Sequence, residues 1–396
     1  MTDAITLENY YGAHNYHPLP VTLVRGEGVY VWDEKGKSYL DMLSAYSALS
    51  HGHCHPRLVK VLQKQAAQLT LTSRAFYSNT LGPFLETLCK TMGYSKALPM
   101  NTGAEAVETA IKAARKWGYT IKNIPENQAE IIVCTNNFHG RTTSIVSFST
   151  EAQYRFGFGP FTPGFITIPY GDAEALAKAI TPHTAAFLVE PIQGEGGIVI
   201  PPMGYLKQCY DLCKQHQVLF ILDEIQTGLG RTGKLLASDH ENLRPDGLIL
   251  GKALGGGLLP VSAFLSNDEI MNVFQPGDHG STFGGNPLAA CVAEEALIIL
   301  QEEKLIENAQ KQGAYFLKKL QDMQHPAVKE VRGRGLLIGM EMHDHKLKAR
   351  TVCERLLHLG LLSKDTHETV VRFAPPLTIT SAQIDDAVVM VQEALS

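Results

Sequence analysis

The chain has 396 residues, of which 44% are hydrophobic and 19% are charged, and its formal net charge is -5. This length and composition are typical of a globular protein with a large core and two or three domains. The net negative charge argues against nucleic acid as the main ligand, and no apolar stretch approaches the roughly 18–20 residues needed to span a bilayer.

Residues 1–20 contain no apolar core segment and no arginine, so they do not resemble a secretory signal or a transit peptide. The seven cysteines include no CxxC pair, which is typical of reduced thiols in an intracellular enzyme. We therefore expect a cytoplasmic protein. The HGHCHP segment at residues 51–56 carries metal-ligand residue types, but its proline and its alternation favour a turn, and we predict no metal site.

Residues 1–50 show the pattern of a β-hairpin on an N-terminal segment. Apolar and polar residues alternate on both sides of Glu34–Lys37, which has the composition of a turn. Helical patterns follow, one from about residue 57 and one over Gly82–Met92. We expect the N-terminal segment to be an appendage to a large domain at residues 51–286.

Short apolar runs then alternate with helical or loop segments, as they do in doubly wound α/β folds. Continuous apolar runs are typical of parallel strands that are covered on both faces. We therefore predict one large, mostly parallel, seven-stranded sheet in the large domain. The runs are Ala97–Met100, Ile131–Cys134, Phe165–Ile168, Ala185–Val189, Val218–Leu222, Leu248–Leu250 and Val261–Leu265.

A long helical pattern begins at Leu288 and continues to about Leu320, with a predicted interruption near Glu302–Lys304. The remaining segments are predicted to form a strand, a helix, a strand and a helix, beginning with VRGRGLLIGMEM. Residues 287–396 are therefore expected to form a smaller α+β C-terminal domain.

Asp223 and Lys252 follow two of the most apolar runs. Because ligands bind outside the carboxyl ends of the strands in open α/β sheets, we expect both side chains to face one small molecule. Pyridoxal phosphate (PLP) requires this pair, an amine for a Schiff base and a carboxylate that keeps the pyridine nitrogen protonated. The two residues alone are equally compatible with charged caps on neighbouring elements.

Three further segments place polar groups beside predicted strands. Asn101–Ala104 precede a helical pattern, where free backbone N–H groups would hold a phosphate, although an ordinary helix cap has the same signature. Asn137–Arg141 bring an aromatic ring for stacking and an arginine for a carboxylate, or else form a solvated loop. Glu195 follows another strand, and Arg372 is its expected counter-ion unless it is an ordinary surface arginine.

Gly228–Gly233 matches the GxGxxG pattern, and Gly228–Lys234 matches the first part of a P-loop. Leu235 stands where a P-loop requires Ser or Thr for Mg²⁺, and the residues that follow form a poor helix. We reject both nucleotide interpretations, and a P-loop-like nucleotide-binding module is kept only as the rival from a different functional class. A catalytically silent scaffold with the same fold is a third hypothesis.

Taken together, six segments resemble the class-III group of fold-type-I PLP-dependent aminotransferases. They are NTGAEAVETAIKAARKW, NFHGRT, EPIQGEGG, LDEIQTGLGRTG, LGKALGGGLLP and HGSTFGGNPLA. YGAHNYHPLPV, LTSRAFY and VVRFAPPLTI further resemble the ornithine aminotransferases of this family. The resemblance implies a fold-type-I α/β architecture and PLP-dependent transfer of the δ-amino group of L-ornithine to 2-oxoglutarate. Action on N-acetylornithine or 4-aminobutyrate is the alternative.

The resemblance also implies roles around the cofactor ring. Lys252 would hold PLP as a Schiff base and move the proton. Asp223 would pair with the pyridine nitrogen and Gln226 with the phenolic oxygen. Phe138 and His139 would lie over the ring.

At the phosphate, the resemblance implies binding by the backbone of Gly103 and Ala104. Thr282 would reach the phosphate of a neighbouring subunit. The expected assembly is therefore a homodimer with shared active sites.

For the substrate, the resemblance implies that Tyr16, Tyr46 and Arg141 hold the α-amino-carboxylate end of ornithine. This binding mode would orient the δ-amine toward PLP. Glu195 would pair with Arg372 while ornithine reacts and would release it to bind 2-oxoglutarate.

Overall fold

The computed structural model describes residues 3–343 and 346–396, and the elements below lie within those ranges. The helices are α1 (Ala4–Tyr11), α2 (Ser44–Ser47, a single turn), α3 (Pro56–Ala66), α4 (Leu81–Met92), α5 (Gly103–Thr120), α6 (Ala152–Arg155), α7 (Ala173–Ala179), α8 (Tyr205–Gln215), α9 (Asp268–Met271), α10 (Pro287–Glu302), α11 (Leu305–Asp322), α12 (Ala349–Leu359) and α13 (Ser381–Leu395). The strands are β1 (Leu23–Glu27), β2 (Tyr30–Asp33), β3 (Ser38–Asp41), β4 (Lys96–Met100), β5 (Glu130–Cys134), β6 (Phe165–Ile168), β7 (Thr184–Val189), β8 (Leu219–Asp223), β9 (Gly247–Leu250), β10 (Ser262–Ser266), β11 (Val328–Arg334), β12 (Leu337–Met342), β13 (Leu361–Leu362), β14 (Lys364–Thr366) and β15 (Val370–Phe373).

The largest sheet has seven strands in the order β4-β10-β9-β8-β7-β5-β6. Strand β10 runs antiparallel to β4 and β9, and the other neighbouring strands are parallel. This central sheet confirms the predicted α/β class and the mostly parallel seven-stranded sheet.

Helices cover both faces of the central sheet, which explains why its strands have continuous apolar sequences. Alternate residues of β8 point to opposite faces. Ile221 packs with Trp117 of α5 on one face, whereas Phe220 packs with Leu206 of α8 on the other. Every residue of β7, β8 and β9 is buried as a result.

The N-terminal hairpin forms as predicted, with β2 and β3 antiparallel and joined by a turn at Glu34–Lys37. The Asp33 carboxylate stabilises this turn by accepting hydrogen bonds from the backbone N–H groups of Lys35 and Lys37, both at 2.9 Å. Strand β3 also pairs in parallel with β13 from the C-terminal part of the chain. The hairpin therefore packs beside residues that are more than 300 positions away in sequence.

The C-terminal sheet has the order β11-β12-β15-β14. The segment VRGRGLLIGMEM, predicted as one strand, forms two antiparallel strands instead, because the chain reverses at Gly335 with φ +56°. The predicted long helix and its interruption are confirmed, since α10 and α11 are separated at Lys304 with φ +54°. Among the described residues, no helix combines the length and apolar character that crossing a bilayer would require.

The GxGxxG segment joins the central sheet to the C-terminal sheet. Arg231, in the middle of this segment, is 1% exposed. Its guanidinium donates hydrogen bonds to the carbonyl oxygens of Leu336 at 3.1 Å and Pro375 at 2.5 Å, and to Ser50 Oγ at 3.3 Å. The residues after this segment form a short 3₁₀ turn at Ala237–Glu241 and not an α-helix.

Candidate active site

Asp223 and Lys252 lie at the same edge of the central sheet. Asp223 is the last residue of β8 and is in register with Ile249 of β9, so both strands end together. Lys252 follows β9 after one glycine and has φ +45°, a left-handed conformation that is rare for residues other than glycine. Such strained backbone conformations occur preferentially at functional sites.

A cavity of about 180 Å³, which we call the inner chamber, opens at this edge. It contains every predicted cofactor residue except Thr282, which is exposed and lies outside it. The inner chamber is lined by Gly103, Ala104, Phe138, His139, Gly140, Glu190, Ile192, Asp223, Ile225, Gln226, Thr227 and Lys252.

Asp223 and His139 form a buried pair at the floor of the inner chamber. His139 Nδ1 lies 2.7 Å from Asp223 Oδ2, and the two side chains are 0% and 4% exposed. Burial lowers the pKa of His139, but its hydrogen bond and charge interaction with Asp223 outweigh burial, so the net shift is upward. His139 thus fixes the orientation of the Asp223 carboxyl group, the group type that pairs with a protonated pyridine nitrogen.

Glu190 is a chamber residue that the sequence interpretation did not assign. It follows β7 and is 8% exposed, and its Oε2 accepts a hydrogen bond from the backbone N–H of Phe138 at 3.0 Å. Burial raises the pKa of Glu190 to about 7. Its place just after a buried strand, like that of Asp223 at the end of one, is the sequence signal that could have identified it.

The start of α5 forms one side of the inner chamber. Thr102 and Glu105 form a capping box, in which Thr102 Oγ1 accepts from Glu105 N at 3.3 Å and Glu105 Oε2 accepts from Thr102 N at 2.6 Å. The first N–H groups of a helix have no partner within it, and the helix dipole is positive there. Gly103 and Ala104 therefore lie where backbone N–H groups are suited to a phosphate, as predicted for them.

The residues of the inner chamber fit PLP. Gln226 Oε1 and His139 Nε2 are buried polar atoms without a hydrogen-bond partner in the described part of the chain, so the chamber retains free polar groups for a ligand. Burial lowers the pKa of the Lys252 amine, while Glu195 and Asp223 oppose this shift. The lowered pKa favours the neutral amine that attacks a carbonyl group.

A second cavity of about 840 Å³, the outer chamber, opens beyond Lys252. All the predicted substrate residues line it, as do Tyr154 and residues 364–367, which the sequence interpretation missed. Strand β14 is short and polar, so it gave no periodic signal, and Tyr154 lies in a four-residue helix. The predicted substrate residues are Tyr16, Tyr46, Arg141, Glu195 and Arg372.

Glu195 and Arg372 form an ion pair within the outer chamber. Arg372 Nη1 lies 2.6 Å from Glu195 Oε1, and the side chains are 2% and 24% exposed. Burial raises the pKa of Glu195, but Arg372 and Lys252 outweigh burial and the net shift is downward. Nη2 of Arg372 has no partner among the described residues, so the guanidinium keeps donor capacity for a ligand.

Arg141 lies among aromatic rings in the outer chamber. Its Cζ atom is 4.7 Å from the ring centroid of Tyr154, 5.5 Å from that of Phe138 and 6.0 Å from that of Tyr16. The described residues place no carboxylate within ion-pair distance of Arg141. The outer chamber thus contains one arginine available for an anionic ligand and one arginine masked by Glu195.

Comparison with known proteins identifies the family. The model of the class-III aminotransferase family matches residues 11–395. The ornithine aminotransferase of Brevibacillus brevis is 58% identical over 385 residues, which cover 97% of this chain and 96% of that protein. A structure of ornithine aminotransferase from Toxoplasma gondii with PLP at partial occupancy in its active site has 47% identity and a TM-score of 0.97, covering 99% of this chain and 93% of that chain.

An acetylornithine aminotransferase from Elizabethkingia anophelis is also similar, at 50% identity with a TM-score of 0.90, over 99% of this chain and 97% of that chain. The match to the family model spans nearly the whole chain. The chain therefore belongs to the class-III aminotransferases.

Proposed function

We propose that the protein transfers the δ-amino group of L-ornithine to 2-oxoglutarate. The products are L-glutamate and glutamate 5-semialdehyde, which cyclises to pyrroline-5-carboxylate. The observation that carries this proposal is the unequal state of the two arginines in the outer chamber. Arg141 is available to a carboxylate, whereas Glu195 masks Arg372.

The inner chamber supplies the groups that the chemistry requires. PLP, when bound there, provides the electron sink that stabilises negative charge on the substrate carbon. Asp223 would pair with the pyridine nitrogen of the bound cofactor, and His139 orients this carboxylate through the 2.7 Å contact. Lys252 Nζ would hold the cofactor as a Schiff base, and as a free amine it would take the proton from the δ-carbon of ornithine, which bears the reacting amine.

The outer chamber selects the end of ornithine that reacts. Arg141 binds the α-carboxylate, and Tyr16 and Tyr46 line the space beside the α-amino group. The δ-amine then extends toward Lys252, which lines both chambers. An unmasked Arg372 would bind the same carboxylate near Lys252 and would direct the α-amine to the cofactor instead.

In the second half-reaction, Glu195 releases Arg372. The guanidinium of Arg372 then binds the α-carboxylate of 2-oxoglutarate, and Arg141 binds its distal carboxylate. Glu195 is the mobile partner in this proposal because it is 24% exposed, whereas Arg372 is 2% exposed. The residual exposure leaves Glu195 a route toward solvent.

The assembly that we propose is a cytoplasmic homodimer with shared active sites, built on the domains 51–286 and 287–396 and the N-terminal segment. Thr282 is exposed outside both chambers, as expected for a residue that acts on a neighbouring subunit. Phe76, Tyr77 and Phe283 are exposed by 73%, 104% and 55%, and exposed aromatic side chains are common at interfaces. Sedimentation velocity of the holoenzyme tests the dimer, and Thr282→Ala should weaken PLP binding only if the dimer forms.

Substrate profiling of the purified holoenzyme tests the proposed reaction. We expect kcat/KM for L-ornithine to exceed that for N-acetylornithine and for 4-aminobutyrate. The acetylornithine aminotransferase activity of a similar enzyme makes N-acetylornithine the second candidate substrate. Equal or better turnover of N-acetylornithine would overturn the ornithine assignment, and a colourless protein that purifies with nucleotide would overturn the PLP chemistry.

A further inference from the structure

The turn that carries Tyr46 has an unusual backbone. Ser44, Ala45, Tyr46 and Ser47 have φ angles of +51°, +47°, +59° and +71°. A run of left-handed residues is sterically unfavourable for L-amino acids, and none of these four is glycine. The surrounding structure must therefore stabilise this turn.

Asp41 makes the polar contacts at the start of the turn. Its side chain is buried, and its Oδ1 accepts hydrogen bonds from the backbone N–H groups of Leu43 and Ser44, both at 2.9 Å. Its Oδ2 lies 2.7 Å from His53 Nε2. A single carboxylate thus binds both the turn and a second segment of the chain.

His53 is itself held firmly. Its backbone exchanges two hydrogen bonds with Gly28, at 2.7 and 3.0 Å. Its ring packs so closely against Gly26 that a Cβ atom there would lie 2.8 Å from His53 Cγ. His53 is therefore a rigid support for Asp41.

The turn connects this support to the substrate site. The ring centroid of Tyr46 lies 5.6 Å from Cζ of Arg372, and Tyr46 lines the outer chamber. Met42 O accepts a hydrogen bond from Ala374 N at 2.7 Å, which connects the segment just before the turn to the residue that follows β15, the strand with Arg372. Burial raises the pKa of Tyr46, so its phenol stays neutral and able to donate a hydrogen bond.

We infer that Asp41, supported by His53, is a positioning residue for substrate selection. It holds the left-handed turn in the conformation that places Tyr46 beside Arg372 in the outer chamber. This inference rests on the proposed function of that chamber and assigns the residue that shapes its Tyr46 wall. Asp41 lines neither chamber, so it acts through the turn alone.

The first test is Asp41→Ala in the holoenzyme. We expect KM for ornithine to rise on the order of tenfold, the effect of losing a charge-assisted hydrogen-bond network, with kcat changed less than about twofold. The visible cofactor band and the dissociation constant of PLP should stay unchanged. Asp33→Ala is the matched control, because Asp33 accepts two backbone hydrogen bonds in a turn remote from the chambers.

The second test distinguishes the turn from other effects of Asp41. Asp41→Asn keeps an oxygen for Leu43 N and Ser44 N, so its KM should lie close to that of the wild type. Adding Ala45→Gly to Asp41→Ala should restore much of the lost affinity, because glycine adopts positive φ without steric cost. An undiminished KM defect in this double variant would overturn the inference.

The outcomes separate the two proposals. If the wild-type enzyme transaminates ornithine and Asp41→Ala keeps the wild-type KM, the positioning role of Asp41 is contradicted and the proposed function is not. If profiling selects another amine, the ornithine assignment fails, and the same KM ratio measured with that amine decides the role of Asp41. Should Asp41→Ala fail to fold, His53→Leu removes the support at Oδ2 and should raise KM about threefold, and an unchanged KM contradicts the inference.

Discussion

At the scale of single residues, Glu195 is expected to control which amino group of ornithine reacts. It forms a 2.6 Å ion pair with Arg372, and Gln226 Nε2 donates to the same oxygen at 3.3 Å. The carboxylate therefore competes directly with any substrate carboxylate for the Arg372 guanidinium. We therefore expect removal of this carboxylate to change which amino group of ornithine reacts, and to leave the chemistry at the cofactor largely unchanged.

We predict that Glu195→Ala lowers the ratio of δ- to α-transamination of ornithine on the order of tenfold, because a free guanidinium binds carboxylates with charge-assisted hydrogen bonds. Product analysis by mass spectrometry measures this ratio. Glu341→Ala, which breaks an ion pair with Arg332 outside the chambers, is the control. Formation of semialdehyde alone by Glu195→Ala would refute the masking role.

Glu190 gives a prediction about pH. Its folded pKa of about 7 exceeds the unfolded value of 4.5, so the native protein binds more protons between these values and stability falls as pH rises through this window. The full loss above pH 7 is about 3 kcal/mol.

Glu190→Gln removes this titration, so the variant should gain stability relative to the wild type as pH rises from 5 to 8. Urea unfolding of the apoprotein at several pH values measures the difference. The control is a substitution of the exposed Glu126 by Gln, which should show no such trend. If the difference in unfolding free energy between Glu190→Gln and the wild type does not change with pH, the raised pKa is contradicted.

Sequence reasoning located Asp223 and Lys252 because each follows an apolar run, and the structure places them at one edge of the sheet. It could not locate Tyr46 from pattern alone, because its left-handed turn contains no glycine to signal positive φ. Tyr154 and residues 364–367 were missed because they reach the outer chamber through tertiary packing, which leaves no local periodicity.

At the scale of elements, helix α5 is capped where the phosphate is expected. Its capping box fixes the backbone of the first turn and therefore the direction of the N–H groups of Gly103 and Ala104. Helix α13 has the same kind of capping box, formed by Thr380 and Gln383, far along the chain. Because only the cap of α5 lies beside the inner chamber, substitutions in the two caps distinguish an effect on stability from an effect on cofactor binding.

We predict that Thr102→Ala and Thr380→Ala each cost about 1 kcal/mol of stability. Only Thr102→Ala should also weaken PLP binding, because it loosens the turn that faces the phosphate. Thermal unfolding and fluorescence titration of the apoprotein with PLP measure the two effects. Equal PLP affinities for the two variants would argue against a phosphate site at α5.

The element predictions succeeded where apolar periodicity was strong and failed where turn chemistry decided the outcome. The seven central strands were found because both faces are buried. The division of one predicted strand into β11 and β12 depends on a single glycine, Gly335, inside a segment of otherwise strand-like composition.

At the scale of the whole molecule, Gly335 is a point of close approach between the C-terminal sheet and the GxGxxG segment. A Cβ atom at Gly335 would overlap with the backbone of Thr232 and lie 2.6 Å from Gly233 N. The hydrogen bond from Leu336 N to Arg231 O, at 3.0 Å, forms at the same contact. Backbone atoms from distant parts of the chain thus meet without intervening side chains.

We predict that Gly335→Ala destabilises the protein by at least ~2 kcal/mol more than Gly36→Ala. Both glycines lie in hairpin turns with positive φ, at +56° and +81°, but a Cβ atom at Gly36 meets nothing within 4 Å. The cost of placing alanine at a positive φ angle is common to both variants, so it cancels in the difference between their free energies of unfolding. Chemical denaturation measures the difference, and equal losses would show that the close approach is unimportant.

The division of the site into two chambers has a consequence for how the enzyme can be redesigned. Among the described residues, only Phe138 and Lys252 line both chambers. Cofactor handling and amine choice are thus encoded by nearly separate sets of positions. A library of variants at residues 364–367 would test new amine donors and leave the inner chamber unchanged, since none of those residues lines it.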